Sequence, residues 1–359
     1  MGTTLKNIAD KAKVSQATVS LALNKKPGVS DATREKILQI AQDLEYGSAR
    51  KELFASGAKG SIRFLKIATH GHTVNRDHDV FIADYIDGLA HGARLSSFNI
   101  EVASFRGATP EEIFRTLAGS NLSGVVVLGT ELSTEQIRAF TRITIPLVFL
   151  DTFHDFIDFD FVDMNNRDAV YKIVTHLLEN GHTEIGFVRS GVNTHNFELR
   201  DEGFHQVVKS LGVSVKESNI ITVDSTYQGA YQDMIDYLGR RSKLPTALFC
   251  TNDVIAYGCI KALREKGYQI PDDVSVVGFD DLPLSSVMDP PLTTIQVPKK
   301  QMGEIAIARI TQRIASGGGL PSVKVQVGGE LVVRESVRNL AAGRQKSRTR
   351  AGDNGGSRP

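Results

Sequence analysis

The amino-acid sequence predicts an α/β protein: an N-terminal all-α head of helix-turn-helix type, then a two-lobed body of parallel sheets flanked by helices. Three observations predict it. The first 46 residues carry three short helical periodicities, two of them opened by a serine. From Ile62 onward, strand-like and helix-like segments alternate in two successive series. Charge is also divided along the chain: residues 1–66 hold 12 Lys/Arg against 6 Asp/Glu, residues 67–337 hold 24 against 34, and residues 338–359 hold 6 against 1. A basic head attracts phosphates and an acidic body is repelled by them, so the body should bind something other than nucleic acid.

In the head, Leu5, Ile8, Ala9 and Ala12 fall at helical spacing. Ser15 stands as N-cap to a helix from Gln16 to Leu23, with Val19, Ala22 and Leu23 on one face. Pro27-Gly28 breaks the chain, and Ser30 caps a third helix whose apolar stripe is Ile37, Ile40, Ala41 and Leu44. Only Lys13, Val14 and Ser15 link the first two helices, so they must cross steeply, as in a helix-turn-helix. The second helix of that motif enters the major groove, which makes Gln16, Ala17, Thr18, Ser20 and Leu21 the exposed, groove-facing side. A three-helix protein-binding module is the competing reading; the basic charge and polar first turn argue against it.

The stretch TLKNIADKAKVSQATVSLALN…VSDATREKILQIAQDLEY, from Thr4 to Tyr46, resembles the DNA-binding head of the lactose/galactose repressor family of bacterial transcription regulators. The resemblance implies base readers at Gln16, Ala17 and Leu21 and phosphate or framework contacts at Thr18 and Ser20. It also implies DNA contacts at Thr4, Leu5, Ser15, Asn24, Val29, Ser30, Thr33 and Arg34. Two departures stand out. Many members carry Arg where this chain has Leu21; Arg can grip guanine, whereas Leu can touch a thymine methyl or pack. After Tyr46 the family's proline-led hinge helix is replaced by GSARKELFASGAKGS. Leu53 or Phe54 could be the minor-groove wedge of such a hinge, while the Gly/Ser/Ala content equally fits a flexible linker.

In the body, FLKIAT precedes the helix FIADYIDGLAHGARLSS; IEVASF precedes EEIFRTLAGS; GVVVLGT precedes EQIRAFTR, and PLVFLD follows. A second series runs through AVYKIVTHLLENG, EIGFVRS, FELRDEGFHQVVKSLG, NIITVDS, YQDMIDYLGRR, ALFCTND, VIAYGCIKALREKG and VSVVGFDD. Alternation of this kind builds parallel sheets, and two series suggest two similar lobes. Ligands bind beyond the C-terminal ends of such strands, here in a cleft between lobes. The domain plan is therefore a head at 1–46, a hinge or linker at 47–61, a body at 62–338 and, in the Gly-, Ser- and Arg-rich 339–359, a disordered tail.

Composition closes off other classes. At 41% hydrophobic and 23% charged, the chain reads as an ordinary globular protein of about two domains. It has no apolar run long enough to span a membrane and no secretory leader, and Lys6 stands where a myristoylation signal needs Ser or Thr, so a cytoplasmic protein is expected. Cys250 and Cys259 lie in apolar sequence and read as buried free thiols. No G-x-G-x-x-G follows the first strand and no Walker A or G-x-S-x-G motif is present, so neither a cofactor nor an enzyme activity is expected. His70, His72, Asp77, His78 and Asp79 could be read as a metal cluster, but they lack a tight ligand spacing and read better as a solvated or ligand-touching loop.

Polar residues at strand ends carry the candidate chemistry. Asp151 ends FLD, Arg200 follows FEL, Asn252 and Asp253 end FCT, and Asp280 and Asp281 end VGF. Asp with Arg and Asn is a set that hydrogen-bonds hydroxyl-rich ligands; Asp253 and Asp281 read instead as caps of the next helix. The segments GHTEIGFVRS, LPTALFCTNDVIAYG, IPDDVSVVGFDDLPLSSVMDPPLTTI and RESV resemble the same repressor family, whose body shares its fold with periplasmic sugar-binding proteins. That resemblance implies effector contacts at Asp151, Arg200, Asn252 and Asp280, and His72 and Phe81 join them as effector-binding candidates; the loop from His70 to Asp79 is longer and richer in His than in many members. Met164 stands where many members have Asp. The expectation is a homodimeric regulator, a repressor, that binds a palindromic double-stranded DNA operator and senses a sugar or sugar derivative. The alternatives are a regulator controlled by a protein co-repressor and an enzyme with a fused DNA-binding head.

Overall fold

The computed structural model describes residues 5–23, 28–43, 58–240, 243–317 and 319–341. The chain divides into two units, Met1–Lys59 and Gly60–Pro359. The first contains α1 (Leu5–Ala12), α2 (Gln16–Leu23) and α3 (Asp31–Asp43). Ser15 Oγ accepts the Thr18 N–H at 3.0 Å, and Ser30 Oγ accepts the Thr33 N–H at 3.3 Å, so both serines satisfy a free amide at a helix start. Lys13 adopts a left-handed φ of 57° and Val14 N–H returns to the Ala9 carbonyl, which ends α1 abruptly. Ile8, Ala9, Ala12, Val19, Ala22 and Ile37 form the buried core. Thr4, Asn24, Leu53, Phe54, all of 47–57 and the side chains of Leu5, Ala17 and Ser20 lie outside the described residues.

The second unit holds two parallel sheets. In the first lobe, β1 (Ser61–Ala68), β2 (Asn99–Arg106), β3 (Leu122–Leu128), β4 (Leu147–Leu150) and β5 (Asp160–Met164) are joined by β11 (Lys324–Val327) in the order β11-β5-β4-β3-β1-β2. Side chains alternate across the strands. Leu65, Ile67, Val125, Val127, Phe149 and Phe161 face α5 (Pro110–Leu117) and α6 (Thr134–Ala139). Ile62, Phe64, Val126, Val148 and Val162 face α4 (Asp79–Leu95) and α12 (Lys299–Ala315). The last two helices approach closely because Gly88 has no side chain; a Cβ there would stand 2.0 Å from the Lys300 carbonyl oxygen.

The second lobe contains α7 (Asn166–Glu179), α8 (His195–Ser210), α9 (Tyr227–Gly239), α10 (Asp253–Glu265) and α11 (Pro283–Val287). They surround a sheet of β7 (Ile220–Val223), β6 (Ile185–Ser190), β8 (Ala247–Cys250) and β9 (Ser275–Val277), in that order. A small antiparallel pair, β10 (Thr294–Gln296) with β12 (Glu330–Val332), completes it. The chain crosses between lobes three times, after β5, between β10 and α12, and between β11 and β12.

The sequence pattern missed β5, β10, α11, α12, β11 and β12. Strand β5 reads DFVDM, and its two acids break the apolar run. Asp160 is buried against Arg309 and Arg313 of α12, which no local pattern reveals. Of the stretch expected to be a tail, 339–341 are attached to the body, where Leu340 N–H donates to the Asn180 carbonyl at 2.8 Å; 342–359 lie outside the described residues. Cys250 and Cys259 are free and buried. Among the described residues no helix is long and apolar enough to cross a membrane.

Candidate effector cleft and DNA-reading helix

The strand ends of both lobes meet at a small cavity of about 40 Å³, lined by Thr73, Val74, His78, Phe81, Ile82, Thr130, Asp151, Thr194, Asn196, Phe197, Arg200, Asn252 and Asp280. On the second-lobe wall, Thr194 caps α8 and so starts the helix that carries Asn196 and Arg200 one turn apart. Arg200 is 4% exposed. Its Nε donates to Asn166 Oδ1 at 2.9 Å, its Nη1 donates to the Thr251 carbonyl at 2.8 Å, and the guanidinium lies 3.6 Å from the Phe279 ring centroid. Asn252 caps α10 through Oδ1, which accepts the Ile255 N–H, and this turns its Nδ2 toward His78 Nε2, 3.1 Å away. Asp280 follows β9 with a left-handed φ of 120°, its Oδ1 lies 3.6 Å from Arg200 Nη1, and its carbonyl accepts from buried Lys299.

On the first-lobe wall, Asp151 leaves β4 with φ 62°. Its carboxylate accepts from Tyr85 Oη at 2.9 Å, Thr130 Oγ1 at 2.5 Å and Asn196 Nδ2 at 3.2 Å. Phe81 packs edge-on against Tyr85. A second acid, Asp163, is fully buried outside the cavity lining; its Oδ2 accepts from Asn166 Nδ2 at 3.4 Å and its Oδ1 is in no hydrogen bond.

Burial dominates the electrostatics. It raises Asp280 to about 7 despite the Arg200 charge beside it. It raises Asp151 against the hydrogen bonds from Thr130 and Tyr85, and it lifts Asp163 well above the carboxylate range, with the Asp151 charge adding to the rise. It lowers His78 to about 4. The cavity therefore presents acids that hold protons readily and a neutral imidazole. Asp280 lines the cavity, and its buried Oδ1 has no hydrogen bond, only the 3.6 Å ion pair with Arg200.

Asp151, Arg200, Asn252, Asp280 and Phe81 are thus brought to one cavity. His72 is not. It sits at the rim, its Nδ1 3.5 Å from Asp224 Oδ2 of the other lobe, because the backbone after β1 curls around Glu131 and turns Thr73 and Val74 inward. The cap readings of Asp253 and Asp281 also fail. Asn252 caps α10; Asp253 is a buried brace that accepts from Leu282 N–H, Ser285 Oγ and Thr294 Oγ1. Asp281 binds Arg334, and α11 has no side-chain cap. Among the described residues no cluster of three metal-ligating side chains occurs. Sequence reasoning missed Glu131, Asp163, Tyr85, Thr130, His78 and Asn196. His78 belonged to the His-rich loop and Asn196 lies four residues from Arg200, so these two carried a signal; Tyr85, in an apolar helix, and Asp163, in a strand whose acids hid it, did not.

In the head, Gln16 is exposed and Thr18 half-buried at the start of α2. Leu21 is half-buried rather than exposed, lying beside the turn at Gly28. Arg34 Nη1 donates to the Leu21 and Ala22 carbonyls at 3.3 and 3.0 Å, closing the C-terminal end of α2, and Val29 packs on the head's core.

A basic helix-turn-helix head on a two-lobed body with a polar interlobe cavity defines a DNA-binding regulator of the effector-binding class. Residues 4–48 match the model of bacterial regulatory proteins of the lacI family, and residues 174–337 match the periplasmic binding protein-like domain. The HTH-type transcriptional repressor PurR of Photobacterium profundum is 28% identical over 340 residues, covering 94% of this chain and 99% of that protein. PurR of Haemophilus influenzae is 29% identical over 343 residues, with the same coverage. A CelR–cellobiose complex superposes with a TM-score of 0.69 at 23% identity, covering 93% of this chain and 99% of that one. The lac repressor dimer bound to operator and an anti-inducer superposes with a TM-score of 0.68 at 23% identity, covering 94% and 100%. The chain therefore carries a lacI-type head and a periplasmic binding protein-like domain. It is a DNA-binding transcription regulator with an effector-binding body.

Proposed function

We propose that the protein is a homodimeric repressor whose interlobe cavity binds a sugar or sugar derivative. The observation that carries this reading is the convergence of Asp151 and Thr130 from one lobe with Asn196, Arg200, Asn252 and Asp280 from the other on one cavity. Carboxylates accept from hydroxyls, and guanidinium and amide donate to them, while Phe81 and Phe197 offer flat apolar faces to a ring. The cellobiose named for the CelR structure supports the same class. A ligand touching both lobes binds the closed cleft better than the open one, and only that difference shifts the lobes. The shift alters the paired heads of the dimer and hence affinity for a palindromic operator. In the head, Gln16 and Leu21 read bases, Leu21 through a thymine methyl. Ser15, Thr18, Ser30 and Thr33 meet phosphates at helix N-termini.

Thermal shift and calorimetry against a panel of sugars and nucleotides, followed by operator binding with each hit, test the reading. A sugar that stabilises the protein, is not consumed and changes operator affinity is the expected result. A nucleotide acting in its place overturns the effector class. Turnover of the hit favours an enzyme, and a response only to an added protein favours a co-repressor.

A further inference from the structure

We propose that Glu131 is the positioning residue of the cleft: its carboxylate fills a cradle of backbone amides and so sets the loop that forms one cavity wall and reaches the opposite lobe. The proposal rests on reading the cavity as the effector site. Glu131 follows β3, directly after Thr130, and is 5% exposed. One oxygen accepts the N–H groups of Thr69, His70 and Gly71 at 2.8, 3.0 and 2.9 Å. The other accepts the N–H groups of Thr73 and Val74 at 2.8 and 2.6 Å and the Thr73 hydroxyl at 3.0 Å. Five amides converging on one centre make an anion site of the kind that loops build for phosphates, here occupied by the chain's own carboxylate. Gly71, at φ 74°, supplies the left-handed residue that the curl requires. Burial opposes the charge, yet the amides of Val74, Gly71 and Thr73 outweigh it and hold Glu131 at about 2, so the anion persists at every working pH.

The loop held in this way does three things. It turns Thr73 and Val74 into the cavity. It offers the His72 carbonyl to Ser225 Oγ of the other lobe at 3.3 Å and to Asn75 Nδ2 at 2.7 Å. Asn75 Oδ1 in turn faces His78 Nδ1 at 3.3 Å, which leaves His78 Nε2 to accept from Asn252 Nδ2. A continuous hydrogen-bonded path therefore runs from Glu131 to the cap of α10 in the opposite lobe. Thr130, the preceding residue, donates to Asp151, so a single strand end fixes both an effector-facing acid and the loop opposite the second-lobe wall.

Hydrogen–deuterium exchange on the full-length protein without effector tests this, with Glu131→Ala and Glu131→Gln. In Glu131→Ala, exchange at 69–74 should rise by about tenfold or more, and exchange at 224–226 and 252–255 should rise with it, while β3 stays protected. Excess sodium formate should restore protection in both lobes of this variant by re-entering the cradle, and sodium chloride at equal ionic strength should not. A rise confined to 69–74 overturns the proposal, as does failure of formate to restore the loop. If Glu131→Ala loses protection in β3 as well, Glu131→Gln, which keeps the shape and one acceptor oxygen, is judged by the same cross-lobe criterion. No effector enters the experiment, so its failure is separate from failure of the sugar reading.

Discussion

The two walls of the cleft are built on different principles. The second-lobe wall grows out of regular structure: Arg200 and Asn196 from α8, Asn252 from the first turn of α10 and Asp280 from the end of β9. Its polar groups are bound to one another and to buried backbone carbonyls. Much of the first-lobe wall is loop, and that loop takes its shape from one carboxylate, Glu131, accepting amides from residues about 60 positions earlier. The first kind of wall is fixed whenever the lobe folds. The second is fixed only when β3 brings Glu131 against the loop.

The largest effect should come from the second-lobe wall. Arg200→Ala leaves Asn166 Oδ1 and the Thr251 carbonyl without their donor and Asp280 without its countercharge. The expected cost is about 3–5 kcal/mol of unfolding free energy, measured by urea denaturation, together with loss of effector response. A cost under about 1 kcal/mol would show that this wall is no more firmly fixed than the other.

A smaller effect should separate the walls by pH. Asp280 and Asp253, raised by burial to about 7 and about 6, stabilise the fold fully only below the ordinary carboxylate range, and that stability fades as pH rises through their folded values. His78, lowered by burial to about 4, behaves oppositely: its contribution is present above about 6.5 and disappears as pH falls toward 4, by roughly 3 kcal/mol at most. Melting temperatures between pH 4 and 8 should therefore fall less steeply toward alkali in Asp280→Asn than in the wild type. In His78→Gln they should fall less steeply toward acid. Parallel curves for all three proteins would refute the assignment.

The smallest effect belongs to the rim. His72 and Asp224 are each about a third exposed, so His72→Ala should change stability by less than about 1 kcal/mol and leave ligand affinity in the cavity unaltered. A loss of affinity equal to that of His78→Gln would move His72 back into the site.

The sequence by itself determined whatever depends on neighbours along the chain. Ser15 and Ser30 cap α2 and α3 because an N-cap serine needs only the amide three residues on, and the head's helices are spaced by their own apolar periodicity. The alternation of strand and helix, and the polar residues at strand ends, likewise gave the parallel sheets and five of the six candidate cavity residues. Tertiary structure alone decided the rest. Strand β5 was hidden because Asp160 is satisfied by arginines about 150 positions away, so a locally polar strand becomes a buried one. Asp253 looked like a cap and became a brace because Leu282, Ser285 and Thr294 arrive from distant turns. Glu131 and Asp163 were unreadable for the same reason: a carboxylate shows its role only through the donors around it, and long-range folding supplies those donors.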